Sequence, residues 1–171
     1  MSLNAVSNIL WRERQLLEML VFKLEEEQLL LAAGRPRWLP HATREVEAVL
    51  AEIKRLELDR AVRVNGLATE FDLPEAPTLR DLVEGVPSPW DSIFDDHRVA
   101  LIDAAHEVET IARGNRDLLA RGQQAARATL DALTEGMGGV EVEVEAYRPA
   151  RSPRPGNLSG AVTRRLVDEA I

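Results

Sequence analysis

At 171 residues the chain has the length of one domain, or of one domain with a tail. It is 45% hydrophobic and has no cysteine, which excludes a disordered chain, a disulfide framework, a thiolate metal site and a cysteine nucleophile. A net charge of −8 and a pI near 5.0 argue against binding to nucleic acid or to an anionic membrane.

Proline falls at 36, 40, 74, 77, 87, 89, 149, 153 and 155, and is absent from 1–35, 41–73 and 90–148. An interior proline costs a helix about 3 kcal/mol, so the three gaps are where long helices can form. The N-terminus has no basic start followed by an apolar core, as a signal peptide would. The longest uninterrupted apolar run, Leu29 to Ala33, is far short of a membrane span. A soluble, cytoplasmic protein is expected.

The first helix is predicted over about residues 3–33. Leu3, Leu10, Leu17, Leu24 and Leu31 recur every seven residues, Val6 and Leu20 sit three positions after two of them, and Ile9, Leu16 and Leu30 widen the stripe. A stripe of that width packs against two neighbours rather than one. Gly34 followed by Pro36 is a stop signal. The second helix, about 41–71, carries Val46, Val49, Leu50, Ile53, Leu56, Val64 and Leu67. Arg60 and Arg63 fall near core-type positions, where their stems are expected to snorkel along apolar surface. The short connection between the two helices forces an antiparallel hairpin.

Residues 72–88 are punctuated by Pro74, Pro77, Gly85 and Pro87. Thr78 and Asp81 form a capping pattern for a short helix at 79–84, ahead of Leu79, Leu82 and Val83. Ser88, Pro89 and Asp91 mark the start of a third long helix, about 89–135, with the proline at its first position. One ladder in it runs Phe94, Leu101, Val108, Asn115, Gly122 and Thr129; the other runs Ala104, Ile111, Leu118, Ala125 and Ala132. Gly136, Gly138 and Gly139 end it. The fold class expected is all-α: an antiparallel coiled-coil hairpin plus a third, longer helix in a three-helix bundle, with a short linker helix. Residues 1–135 form the helical domain and 136–171 an extended tail, in which Val140 to Glu145 alternates with the period of a strand.

The unequal lengths carry the main functional inference. A helix of about 45 residues is roughly 68 Å long and one of about 31 roughly 46 Å. The last turns of the third helix, Arg121 to Glu135, then overhang the hairpin. Gly122, Ala125, Ala126, Leu130 and Leu133 have no hairpin helix to cover them, which points to a partner or a folded-back tail.

Catalytic signatures are sparse. His41, His97 and His106 are the histidines, and Asp103 with His106 spans one helical turn, but a di-iron bundle needs further inward carboxylates and histidines. His97 lies on the seam ladder, and at the helix start it is expected to reach water. The glycines after Glu135 lack the Lys-Ser/Thr of a phosphate loop. No enzyme activity, cofactor or metal is expected. Asn115 sits at a core-type position, either buried to fix register or facing water on the overhang. Trp11, Trp38 and Trp90 are read as plugs for the ends of the bundle.

Four stretches resemble the FlgN type of flagellar export chaperone: Glu27–Arg35, Leu56–Arg60, Thr78–Glu84 and Asn115–Leu119, with Tyr147 following a glycine-rich break. The likeness covers about residues 3–147. It implies a non-enzymatic cytoplasmic chaperone that binds the C-terminal helices of hook–filament junction (hook-associated) proteins and delivers them to the flagellar type III export gate. The partner-binding residues expected are Asn115, Leu118, Leu119, Gly122, Ala125, Ala126, Leu130, Leu133, Met137 and Tyr147. Neither nucleic acid nor membrane insertion is expected, and the chain can be monomer or dimer. The alternative is a self-associating coiled-coil adaptor with no flagellar role.

Overall fold

A computed structural model describes residues 2–136. The architecture is all-α. Helix α1 spans Leu3–Ala32, a single 3-10 turn Pro36–Trp38 follows, α2 spans Leu39–Ala68, α3 spans Leu79–Gly85 and α4 spans Trp90–Gly136. No strand occurs among the described residues; the strand signal at Val140–Glu145 lies outside them.

Local chemistry sets the boundaries. The Ser2 hydroxyl accepts from the Ala5 amide at 3.3 Å and caps α1. Gly34, at φ 62°, ends it: its amide donates to the Leu31 carbonyl and that of Arg35 to Leu30, the paired bonds of a left-handed helix stop. The second helix starts in its Leu39–Pro40 turn, earlier than the proline rule suggested, because a first-turn proline lacks only an amide that would have had no partner. It ends at Ala68, short of residue 71. Thr78 and Asp81 close a reciprocal capping box on α3, which holds the Asp81 carboxyl below the usual carboxylate range. A Cβ at Gly85 would press on the end of the Leu73 side chain, which would have to shift to admit it. Pro89 precedes α4 rather than opening it; the helix begins at Trp90.

α1 is the central helix. Its close approaches are shared between α2 and α4, whereas α2 and α4 scarcely approach each other. The ion pairs and hydrogen bonds of Glu13 with Arg60, Lys23 with Glu45 and Thr43 with Glu27 show that α2 runs antiparallel to α1. Ser7 with His97 and Leu24 with Asn115 show that α4 runs parallel to α1. The core joins Leu10, Leu17 and Leu20 of α1, Ile53 and Leu67 of α2, Leu82 of α3, and Phe94, Leu101 and Val108 of α4.

Three polar contacts are set into this seam. Glu13 stands on the ladder between Val6 and Leu20 and is fully buried. Arg60 does not snorkel: it is 7% exposed, and its Nε–H donates to Glu13 Oε1 at 3.0 Å. A guanidinium whose carboxylate lies inside the bundle follows it there. Arg63 does keep to the surface, paired with Asp59 at 3.1 Å. His97 does not reach water. It is 1% exposed, 3.2 Å from Ser7 Oγ, with the Trp11 ring edge-on at 5.1 Å between centroids. Here α1 and Trp11 cover the start of α4, which the sequence position alone left open. Burial holds the His97 imidazole below its ordinary pKa; nearby Arg14 acts in the same direction and Asp96 against it.

The third contact sets the level at which the bundle closes. Asn115 is 5% exposed, and its Nδ2 donates to the Leu24 carbonyl at 2.8 Å and to Glu27 Oε2 at 3.2 Å. The other Glu27 oxygen accepts from Thr43 Oγ1 of α2 at 2.9 Å. One carboxylate thus joins all three long helices.

Two expectations follow. Removing the guanidinium takes a donor from a fully buried carboxylate, so Arg60→Leu should lower unfolding free energy by about 3–5 kcal/mol, while Glu13→Leu/Arg60→Leu should recover most of it. Urea denaturation checks both, and a double variant as unstable as the single one would contradict this account. For His97, a depressed folded pKa means that its contribution is complete above the unfolded value of about 6.5 and is lost as pH falls from there toward the folded value. Glu45, Glu52 and Asp81, all held below the usual carboxylate range, act only at lower pH. The urea midpoint should therefore drop between about pH 7.5 and about pH 5.5, and His97→Gln should abolish most of that drop.

Candidate functional site

α4 has 47 residues and is continuous through Gly114 and Gly122. That makes it about 70 Å long, against about 45 Å for each hairpin helix of 30 residues. The register set by Asn115 on Leu24 brings Ala32, the last residue of α1, level with about residue 123 of α4. Every residue from Leu119 to Glu135 is exposed.

The exposed stretch prolongs the buried face. At 100° per residue, the buried residues Phe94, His97, Leu101, Ala105, Val108, Ala112 and Asn115 all lie within about 40° of Leu119 around the helix, and so do Ala126, Leu130 and Leu133. The stripe that packs α4 on α1 therefore runs on into water after α1 has ended. Leu119, Leu130 and Leu133 are 41%, 63% and 57% exposed. Gly122, Thr129, Leu118, Ala125 and Ala132 follow on one flank of the stripe, about 60–140° away. The charged residues Arg116, Asp117, Arg121, Arg127, Asp131 and Glu135 all fall on the opposite half. Thr129 and Thr134 return their hydroxyls to the Ala125 and Leu130 carbonyls, so neither demands a polar partner. A Cβ at Gly122 would meet nothing within 4 Å. About half of the helix surface is thus uncharged and small-residued, and can be approached closely by another helix.

The expected site residues separate accordingly. Leu119, Ala126, Leu130 and Leu133 form the stripe, with Gly122 and Ala125 beside it. Leu118 is half-buried where the bundle closes. Asn115 lies inside the bundle on Leu24 and Glu27, where it positions α4. Met137 and Tyr147 lie outside the described residues. On the second ladder of α4, Ala104 and Ile111 are partly buried against the core, and Ala105 and Ala112 beside them are buried more fully. Sequence reasoning missed the hairpin tip at the foot of the stripe, where Trp38 is 46% exposed beneath the Arg37 guanidinium at 5.0 Å. It was read as a plug, as were Trp11, half-exposed but with its ring edge-on over the buried His97, and Trp90, which packs on Phe94. The available signal was the run from Gln28 to Arg44, which has three arginines and no acid.

Among the described residues no cluster of three or more His, Asp or Glu side chains is placed to hold a metal ion, and no helix is long and apolar enough to cross a membrane.

Comparison with known proteins places this geometry in a family. Residues 1–152 match the family model described as FlgN protein. No curated protein and no solved structure gave a match. The match takes in all four described helices and the whole uncovered face of α4, and the chain belongs to the FlgN family of flagellar export chaperones.

Proposed function

We propose that the uncovered face of α4 binds the C-terminal helices of hook–filament junction proteins, keeps them unassembled and delivers them to the flagellar type III export gate. The observation that carries this is the continuation of a helix-packing stripe for about three and a half turns past the end of the helix that covers it. A subunit awaiting assembly presents an unpaired amphipathic helix, and such a helix can take the place on α4 that α1 leaves vacant.

The energetics suit a carrier that must let go. Burying a leucine fully is worth about 1.5–3 kcal/mol, and Leu119, Leu130 and Leu133 are already part-covered by their own helix. Ordering the partner helix offsets much of that gain. The balance is moderate affinity with exchange, rather than a permanent complex.

A second copy of the chain is the competing occupant of the same stripe, as a self-associating adaptor would require. A mass by light scattering that stays constant with concentration speaks against that occupant.

Because Leu130 and Leu133 are exposed, Leu130→Asp/Leu133→Asp should leave the urea midpoint unchanged. It should weaken binding to C-terminal fragments of junction proteins by tenfold or more, roughly the loss of one buried leucine. Truncation after Ala120 should abolish binding while α1 and α2 stay helical. Unaltered binding by either variant, measured by titration calorimetry, would refute the proposed surface.

A further inference from the structure

The stripe begins at the α1–α2 tip, and the tip is charged. From Gln28 to Arg44 the sequence carries Arg35, Arg37 and Arg44 and no acid, in a chain of net charge −8. Arg44 is engaged: its Nε–H donates to the Pro40 carbonyl at 3.0 Å, and Nη2 lies 2.8 Å from His41 Nδ1. Arg35 and Arg37 are exposed, and neither pairs with a carboxylate among the described residues. Arg37 lies over the Trp38 ring, whose own face is half-exposed.

The helix termini do not neutralise these cations. The C-terminal end of α1 and the N-terminal end of α2 lie side by side at the tip, and their opposite partial charges cancel. A helix lying along Ala126, Leu130 and Leu133 in line with α1 would have one end against this tip. Its N-terminal end would bring a positive partial charge and a free amine to Arg35 and Arg37. Its C-terminal end brings a negative partial charge, unsatisfied carbonyls and, where the chain ends, an α-carboxylate. A guanidinium fork matches a carboxylate with two parallel hydrogen bonds.

We propose that Arg35 and Arg37, with Trp38 as an apolar seat, bind the terminal α-carboxylate of the partner helix, an assignment that rests on the docking face proposed above. The partner then runs antiparallel to α4, and the tip measures where its chain stops. The site selects true chain ends over internal amphipathic helices, which supply no carboxylate at that level.

The test uses the full chain and a C-terminal helical fragment of a junction protein, synthesised with a free carboxylate and with a terminal amide. Titration calorimetry should show the amide binding about tenfold more weakly to the wild-type chain, the scale of one charge-assisted hydrogen bond. Arg35→Gln/Arg37→Gln should bring the free acid down to the level of the amide and leave the amide unchanged. Equal binding of acid and amide to the wild-type chain overturns the carboxylate assignment while leaving the docking face standing. An equal loss for both peptides in the arginine variant overturns it too, since the arginines would then act on something other than the chain end. If neither peptide binds, or if truncation after Ala120 has no effect, the docking face fails and the carboxylate site fails with it.

Discussion

The Glu27 carboxylate accepts from Thr43 of α2 with one oxygen and from Asn115 of α4 with the other. This small junction decides what the rest of the molecule can do. On one side of it each long helix has a neighbour; on the other only α4 continues. An isolated helix of that remaining length is marginal in water, because the first turn must be nucleated before any hydrogen bond is gained. Here nucleation has already occurred in the packed half. Propagation into Ala, Leu, Arg and Gln, all good helix formers, needs no tertiary support.

Register makes the junction meaningful. Heptads of leucine pair almost as well when shifted by seven residues, and an all-apolar α1 would tolerate such slips. The polar contacts Ser7–His97, Glu13–Arg60 and Leu24–Asn115 are spread along α1 and cannot all be kept in a shifted alignment. A slipped form would leave a buried charge or imidazole without its partner, which is far more unfavourable than losing a few methyl contacts. The length of bare α4 is therefore a defined quantity, and so is the distance from the hairpin tip to the leucines of the stripe.

The hairpin, the capping box at Thr78, the breadth of the α1 stripe and the excess length of α4 were all legible in the sequence, because each depends on spacing along a few turns. The polar insertions were not. Glu13 fills a gap in an otherwise apolar ladder, but its partner lies 47 residues away, and that of Ser7 lies 90 away. A local pattern cannot announce such pairings. Which residues of α4 are buried most deeply was not legible for a related reason. Ile111 and Leu118 outrank Ala105 and Ala112 in apolar surface, yet a close helix crossing favours the smaller side chains and leaves the larger ones on the flank. Within the expected site, Leu119, Ala126, Leu130 and Leu133 follow from periodicity. The arginines at the foot of the stripe depend on how α1 aligns with α4, and only the folded chain supplies that alignment.

The parallel course of α1 and α4 also shapes how the chain is made. α1 and α2 meet through contacts close in sequence and can pair as soon as both have been synthesised. The face of α1 that receives α4 must wait for residues some ninety positions later. Through that interval on the ribosome a nascent chain carries an apolar α1 surface without its cover.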